Sequence, residues 1–463
     1  MEAPNLLEWR TMRVTFWVGL LALAAVPAGH TAGDDVLPPL PQGSDFTSQK
    51  DPQAEPGRPP DIISKRHRLL DEEAYERLAT RWEGYIAAHP NDPLALIEWG
   101  DALRYSGRYK EGIAKYAEAF AIDSASARVI EAHAASTIHE RHSGAWRLAH
   151  ERLLRAARAD PEEPAIYYSL WITSLRHGDE ALAGACLDRM VELGDMPRVL
   201  LDWGGNMVEG APEDAILFTN GDNDTYPPLA YQHLTGRRRD VSIVNLSLLN
   251  THWYVHYLRQ RGLPITLTDA EIEALEHTTS RRIGEAVQEH IHQNLADAGW
   301  PRPLCYSVTV YAGNRALSGA RSLEGLAERL IPGREMEPAG HEIDLGRTRE
   351  LFDAVYRLDS ALDPLLDWEK EGAISNLLRN YTALLSRVGQ GLVKTGRPDE
   401  AETYLYRAIE ILSFHGFVDE ARSMLEWWGK EAPGGRLLQR ARRVWARHTV
   451  PEPEEAERRR CLR

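Results

Sequence analysis

The stretch PLALIEWGDALRYSGRYKEGIAKYAEAFAIDS, residues 93–124, decides the fold predicted for this chain. Gly107 divides it into two halves, at a point where a left-handed backbone lets one helix end and another begin. Gly100 and Ala119 are small residues at places where two helices can approach closely. Large apolar side chains recur at helical spacing on both sides of the turn: Leu96, Trp99, Leu103, Ile113, Tyr116 and Phe120. The stretch therefore predicts two helices that pack as a hairpin.

This pattern resembles the 34-residue tetratricopeptide repeat position by position, with one departure at Gly112, where the family usually carries alanine. A second clear unit, TALLSRVGQGLVKTGRPDEAETYLYRAIEIL, covers residues 382–412. Weaker units end at Pro161 and run from Tyr167 to Leu187. Because one helical hairpin cannot bury its apolar face alone, we expect neighbouring repeats to stack.

Stacked repeats predict a mostly α-helical chain, with N-terminal repeats in residues 62–196 and C-terminal repeats in residues 346–450. Such stacks leave a groove that commonly holds a polypeptide, so we expect a protein or peptide partner there. The formal net charge of −15 repels phosphate backbones, which argues against nucleic-acid binding. The sequence contains no GxSxG, HExxH, GxGxxG or phosphate-loop motif, so we predict no cofactor and assign no catalytic residue.

The first 32 residues have the layout of a secretory signal peptide. Arg10 and Arg13 precede an apolar run over residues 14–26, and small residues follow. The run is shorter than the about 20 residues that a membrane-spanning helix needs. We therefore expect cleavage, export to the periplasm or beyond, and no membrane span in the mature chain; an uncleaved N-terminal membrane anchor is the alternative. A Pro-rich, disordered linker is predicted for residues 33–61, and a charged tail for residues 451–463; they flank the folded part.

Residues 197–345 have a different pattern, which predicts a small α/β domain inserted between the repeats. Residues 215–219 and 240–246 are apolar runs joined by a turn and a short helical stretch. A strand, a helix and a second strand in this order form a βαβ unit, so we expect the two strands to be parallel. A third apolar run at residues 303–310 adds a further strand to this parallel, Rossmann-like sheet.

The stretch ILFTNGDNDTYPPLAYQHLTGRRRDVSIVNLSLLNTHWYVHYLR, residues 216–259, resembles the soluble C-terminal part of a bacterial membrane family related to protein O-mannosyltransferases. This family was formerly classed as a domain of unknown function, and residues 302–306 and 323–332 match it as well. The family's transferase chemistry is assigned to a multi-spanning membrane portion, which this sequence does not contain. The resemblance therefore implies an accessory soluble module, and His252 departs from it where relatives are expected to carry aspartate.

Polar side chains follow the first two strands of the predicted α/β domain. Because the carboxyl ends of parallel strands meet at one edge of a sheet, where ligands bind in open α/β folds, we expect these side chains to converge. Their amide, hydroxyl and carboxylate groups, with one aromatic face, suit a sugar, a polyol or a bound cation. We assign a ligand-binding role to Asn220, Asp222, Asn223, Asp224, Thr225, Asn245, Ser247, Asn250 and Trp253.

Two other interpretations of this loop stay open. Asp222-Asn223-Asp224 is similar to the Asp-x-Asp signature of nucleotide-sugar transferases, in which the carboxylates hold a divalent metal. Alternatively, the loop is a turn that caps the following helix, with Pro227 and Pro228 in its first turn. The leading hypothesis is an exported interaction scaffold, accessory to cell-envelope or glycan-related processes and carrying a small-ligand site. The competing hypothesis is a metal-dependent, glycan-acting enzyme that uses Asp222 and Asp224.

Overall fold

The computed structural model describes residue 37 and residues 57–68, 70–138, 144–278, 281–334, 342–363, 372–433 and 436–449. The predicted signal peptide, nearly all of the linker before residue 57 and the charged tail lie outside these residues. Within them, no helix combines the length and the apolar character needed to cross a membrane. The chain divides into two compact units: residues 57–62 and 70–169 belong to the first, and residues 63–68 and those from 170 onward to the second.

The first unit is built from paired helices: α1 (Glu72–Ala88), α2 (Pro93–Tyr105), α3 (Tyr109–Ile122), α4 (Ala127–Ala135), α5 (Ala145–Ala159) and the first residues of α6 (Ala165–His177). Helices α2 and α3 form the predicted hairpin, and Gly107 between them has a φ of +93°. The departure from the repeat pattern at Gly112 has a structural reason, because a Cβ there would lie 2.6 Å from the carbonyl oxygen of Gly100. The predicted class, tetratricopeptide-type helical hairpins with an α/β insert, is confirmed.

A polar network joins four helices, α2, α3, α4 and the start of α6, inside the otherwise apolar core of the first unit. Asp101 of α2 accepts a short hydrogen bond from the hydroxyl group of Tyr116 on α3. The guanidinium group of Arg128 on α4 lies 2.7 Å from the other Asp101 oxygen and 2.8 Å from Glu131. Ser169 then donates a hydrogen bond of 3.0 Å to the second oxygen of Glu131. These side chains fix how successive helices align, because each charge needs its partner in place.

The second unit contains the α/β insert and the remaining helices. Its helices are the rest of α6, α7 (Glu180–Glu192), α8 (Arg198–Gly210), α9 (Asp222–Thr235), α10 (His252–Gln260), α11 (Asp269–Glu273), α12 (Ile283–Asp297), α13 (Leu345–Glu350), α14 (Ala373–Lys394), α15 (Pro398–Phe414), α16 (Val418–Glu431) and α17 (Arg436–Thr449). Helices α14 and α15 form the hairpin predicted from residues 382–412. The predicted domain boundaries at residues 196 and 345 stay predictions.

The sheet of the second unit is mixed. Its strands are β1 (Ile216–Thr219), β2 (Ser242–Asn245), β3 (Leu304–Ser307), β4 (Arg321–Glu324), β5 (Ala327–Leu330) and β6 (Glu342–Ile343). They lie in the order β2-β1-β3-β5-β4-β6. Strand β1 is parallel to both β2 and β3, as predicted, with Ile216 opposite Ser242 on one side and Leu304 on the other. The sheet also contains an antiparallel hairpin, β4–β5, which the sequence did not predict.

Candidate functional site

The carboxyl ends of three parallel strands meet at one edge of the sheet. Because β1 lies between β2 and β3, the segments that follow all three strands converge there. The chain leaves β1 through α9 towards β2, and it leaves β3 in the opposite direction, towards β4, which lies beyond β5 in the sheet. In open α/β sheets the ligand crevice lies where the connections diverge in this way. The expected ligand crevice therefore lies between β1 and β3. The predicted site residues follow β1 and β2, so they lie to one side of this crevice.

Asp224 caps the amino end of α9. Its carboxylate accepts hydrogen bonds of 2.6 Å from the backbone N–H of Asn220 and 2.7 Å from that of Gly221. The hydroxyl group of Thr309, which follows β3, donates a further short hydrogen bond to the same carboxylate. Burial raises the pKa of Asp224 to about 6, although these three donors lower it. Both carboxylate oxygens are thus committed to the chain itself.

Thr225 and Asn245 form a buried pair between α9 and β2. The side-chain amide of Asn245 donates a hydrogen bond of 2.9 Å to the Thr225 hydroxyl, which also lies 2.7 Å from the Thr219 hydroxyl. The amide oxygen of Asn245 accepts a hydrogen bond of 2.9 Å from the backbone N–H of Leu248. The pair therefore fixes the start of the 3-10 helix at residues 248–250.

The three remaining residues predicted after β2 also contact the protein. Ser247 is exposed, and its hydroxyl group donates a hydrogen bond of 3.0 Å to the carbonyl oxygen of Asn220. The side chain of Asn250 donates to the Leu246 carbonyl at 2.9 Å and accepts from the backbone N–H of Gly284 at 3.0 Å. The half-buried ring of Trp253 packs against Tyr254 and under the Arg176 guanidinium, whose central carbon lies 5.7 Å from the ring centre.

Asp222 and Asn223 face a different partner, which is an upstream segment of the chain. The half-exposed Asp222 carboxylate lies 3.7 Å from the guanidinium group of Arg66, and the side chain of Asn223 donates a hydrogen bond of 2.8 Å to the Arg66 carbonyl. Asp222 and Asp224 therefore serve different contacts. In the described part of the chain, no group of three or more His, Cys, Asp or Glu side chains is placed to hold a metal ion.

Further site residues come from the β3 side, and the sequence reasoning did not name them. The side-chain amide of Asn314 donates a hydrogen bond of 2.7 Å to Asn220, and Arg282 donates one of 2.8 Å to Asn314. Tyr311 precedes Asn314 by three residues, and 46% of its surface is exposed. The available signal was the position of residues 311–314, directly after the third predicted strand at residues 303–310. Most polar atoms of the predicted site residues form hydrogen bonds within the protein, as expected for a turn that caps a helix. The ligand-binding role of these residues stays a prediction.

Replacing Asp224 with asparagine is expected to change how stability depends on pH. The folded-state pKa of about 6 lies above the usual value near 4, so the folded chain holds a proton that the unfolded chain releases. Stability from this group is therefore present below pH 4 and lost as the pH rises through 6. Relative to Asp224→Asn, the unchanged protein should lose about 2 kcal/mol of unfolding free energy between roughly pH 4.5 and 6.5. Urea unfolding at both pH values tests this, and a constant difference between the proteins would contradict it.

A family model described as TMEM260-associated domain 2 matches residues 200–283, from α8 to the start of α12. No curated protein matches the chain. The crystal structure of MamA aligns at 12% identity over 42% of this chain and 98% of MamA, with a TM-score of 0.23. The crystal structure of yeast Tom70 aligns at 10% identity over 78% of this chain and 62% of that one, with a TM-score of 0.24.

The structure of Naa15/Naa10 bound to HypK-THB aligns at 12% identity over 80% of this chain and 41% of that one, with a TM-score of 0.22. The chain thus spans less than two thirds of the Tom70 and Naa15/Naa10 chains it matches. Residues 200–283 are similar to TMEM260-associated domain 2, and they lie within a helical-repeat chain of the tetratricopeptide type.

Proposed function

We propose that this chain is an exported interaction scaffold whose helical repeats bind an extended segment of a partner protein. The observation that carries this proposal is that a segment of the chain packs, like a bound peptide, against its own helices. Residues 57–62 have no helix or strand structure and lie against α1 and α2 of the first unit. We call them the docked segment. They show which peptide chemistry this surface accepts.

Arg58 anchors one end of the docked segment. The central carbon of its guanidinium group lies 5.1 Å from the ring centre of Trp82 and 5.9 Å from that of Tyr85, both on α1. The same group lies 3.5 Å from the carboxylate of Asp92, which caps α2. An arginine held over aromatic rings and beside a carboxylate gains cation–π attraction as well as charge pairing. This part of the surface therefore suits an arginine side chain.

Ile62 anchors the other end. It is 8% exposed and packs in the core cluster that contains Tyr75 and Trp82. Its backbone N–H donates a hydrogen bond of 2.6 Å to the Glu98 carboxylate on α2. Between the anchors, Pro59 is buried and Pro60 is exposed. A backbone bond together with side-chain anchors at fixed spacing is how protein surfaces recognise extended peptides.

The predicted ligand site of the second unit also contacts polypeptide. Asn223 binds the backbone carbonyl of Arg66, and Asp222 lies beside the Arg66 guanidinium. The neighbouring His67 pairs with Asp195 at 2.9 Å, and its carbonyl accepts a hydrogen bond of 2.9 Å from the backbone N–H of Ala373. These contacts favour a peptide over a sugar or polyol as the ligand of this site. The family resemblance of residues 216–332 supports an accessory role in cell-envelope or glycan-related processes.

The proposal predicts that opening the surface exposes a peptide site. In the full chain carrying Arg58→Ser and Ile62→Ser, both anchors of the docked segment are lost. A fluorescent peptide of residues 55–64, EPGRPPDIIS, should then bind at least about ten-fold more tightly than to the unchanged chain, because the internal segment no longer competes. Fluorescence anisotropy measures the affinity. Bound peptide should also raise the melting temperature of the opened chain.

Two controls make this test specific. The same peptide with serine in place of the arginine and of the first isoleucine, which correspond to Arg58 and Ile62, should bind weakly because it lacks both anchors. At about pH 8, above the pKa of about 7 of Glu98, Glu98→Gln in the opened chain should weaken binding of the original peptide, since it removes the charged acceptor of the backbone bond. Circular dichroism establishes that the opened chain is folded, and Arg58→Ser alone is the milder variant. A folded, opened chain that binds both peptides equally would overturn the proposal.

A further inference from the structure

The last helix, α17, has a row of arginine side chains along one face. Arg436, Arg440, Arg443 and Arg447 follow one another at steps of four, three and four residues, and all are exposed. On a helix these steps return to the same side, so the four lie in a line about 16 Å long at 1.5 Å per residue. We call this line the arginine stripe.

The opposite face of α17 holds the helix in place. Leu438, Ala441 and Val444 are buried, and α17 packs against α15 and α16. The indole N–H of Trp445 donates a hydrogen bond of 2.9 Å to the carbonyl oxygen of Val418 at the start of α16. The stripe is therefore presented on a fixed, packed element.

No carboxylate among the described residues forms an ion pair with the arginine stripe. Helix α17 contains no aspartate or glutamate, and none of its described arginines forms an ion pair. Other helices of this chain pair an arginine with a glutamate three residues later. The N···O distances of such pairs are 2.6 Å for Arg108–Glu111, 2.8 Å for Arg347–Glu350 and 2.5 Å for Arg397–Glu400. Arg440 packs over the aromatic ring of Tyr406, and the distance from its guanidinium carbon to the ring centre is 5.0 Å. The Tyr406 hydroxyl group donates a hydrogen bond of 3.0 Å to the Glu410 carboxylate.

The positive charges of the arginine stripe do not stabilise α17. Like charges three and four residues apart repel one another and weaken a helix. The chain is acidic, with a formal net charge of −15, so its composition does not explain the unneutralised arginines. At physiological salt, charges beyond about 8–10 Å are largely screened, so distant carboxylates do not cancel the local field of the stripe. An external anionic surface would relieve this repulsion.

We propose that the arginine stripe docks this protein onto an anionic phospholipid surface. Clusters of four or more arginines on an amphipathic helix attract anionic headgroups, and each contributes about a five-fold gain in partitioning. A planar layer of phosphates reaches all four guanidinium groups at once. This docking is independent of peptide binding by the first unit.

Vesicle sedimentation of the full chain tests the proposal. The unchanged protein should bind vesicles of phosphatidylcholine with about 30% phosphatidylglycerol and should not bind phosphatidylcholine alone. About 0.5 M salt should abolish the binding. The variant Arg436→Gln, Arg440→Gln, Arg443→Gln and Arg447→Gln should lose at least about 100-fold in partitioning.

A matched control has the same loss of charge elsewhere. The exposed arginines 77, 81, 239 and 422 replaced by glutamine should leave vesicle binding within about three-fold, because they do not form a continuous row. Equal binding by the two variants would overturn the proposal, as would a lack of binding by the unchanged protein. Stripe-dependent binding to a duplex DNA, without binding to vesicles, would also overturn it.

Discussion

Replacing Arg128 with methionine is expected to lower the unfolding free energy of the first unit by about 4 kcal/mol at neutral pH. The guanidinium group lies 2.7 Å from Asp101 and 2.8 Å from Glu131, and it also interacts electrostatically with Glu98 and Glu163. Methionine preserves most of the volume but leaves these carboxylates without their shared positive partner. Removing one side of a buried ion pair costs more than the pair itself contributes, because the remaining charge stays desolvated.

The Arg128 effect should depend on pH. Burial raises the pKa of Glu98 to about 7 and the pKa of Glu163 above its usual value, and Arg128 lowers both. Without Arg128 both pKa values rise further, so the folded variant binds more protons than the unfolded chain between about pH 4 and 7. Its stability must then increase as the pH falls, and the loss at pH 5 should be smaller than at pH 7. Urea unfolding at both pH values measures this.

A conservative variant separates charge from packing at this position. Arg128→Lys keeps one positive charge beside Asp101 and Glu131 but cannot donate to both in the fork geometry of arginine. It should recover part of the stability lost in the methionine variant at neutral pH. A loss that is the same at pH 5 and pH 7, or equal for lysine and methionine, would show that packing alone accounts for the role of Arg128.

The predicted elements that formed are those with local signals. Residues 93–124 specify their hairpin because apolar spacing and the glycine between the helices act within a few residues. The β4–β5 hairpin was missed because its strands contain buried charges, which hide the alternation of a strand. Arg321 and Glu328 are both buried, and Glu328 is paired with Arg315 at 2.6 Å. A pattern of hydrophobicity cannot identify strands whose inner side chains are ionic and paired across the fold.

The candidate site shows the same limit for polar residues. The sequence correctly predicted that the segments after β1 and β2 meet at one sheet edge, because the parallel pairing of these strands follows from their order along the chain. It could not show that Asp224 binds Thr309, 85 residues away, or that Asn223 binds Arg66, 157 residues away. Long-range contacts of this kind determine whether a polar group is available to a ligand. For the same reason, the Pro-rich composition of residues 33–61 concealed the contacts of Arg58 with Trp82 and Asp92.

Gly204→Ala is expected to destabilise the second unit by about 3 kcal/mol, because α8 and α9 touch there through backbone atoms. A Cβ on Gly204 would lie 2.4 Å from the backbone nitrogen of Pro228 and 2.5 Å from the carbonyl carbon of Pro227. Neither atom can rotate away as a side chain could, so α9 itself must shift. Thermal unfolding measures the loss. The shift should also weaken the contacts of Asp222 and Asn223, which begin the same helix.

The same substitution at Gly84 should have the opposite sign. Gly84 is exposed within α1, and a Cβ there would meet no atom within 4 Å. Alanine removes backbone freedom from the unfolded chain, so Gly84→Ala should raise stability by about 0.5–1 kcal/mol. Helix propensity favours alanine equally at both positions, and the difference between the variants therefore isolates the α8–α9 contact. If Gly204→Ala were also stabilising, α8 and α9 could not be packed backbone to backbone, and α9 would be free to move at its amino end.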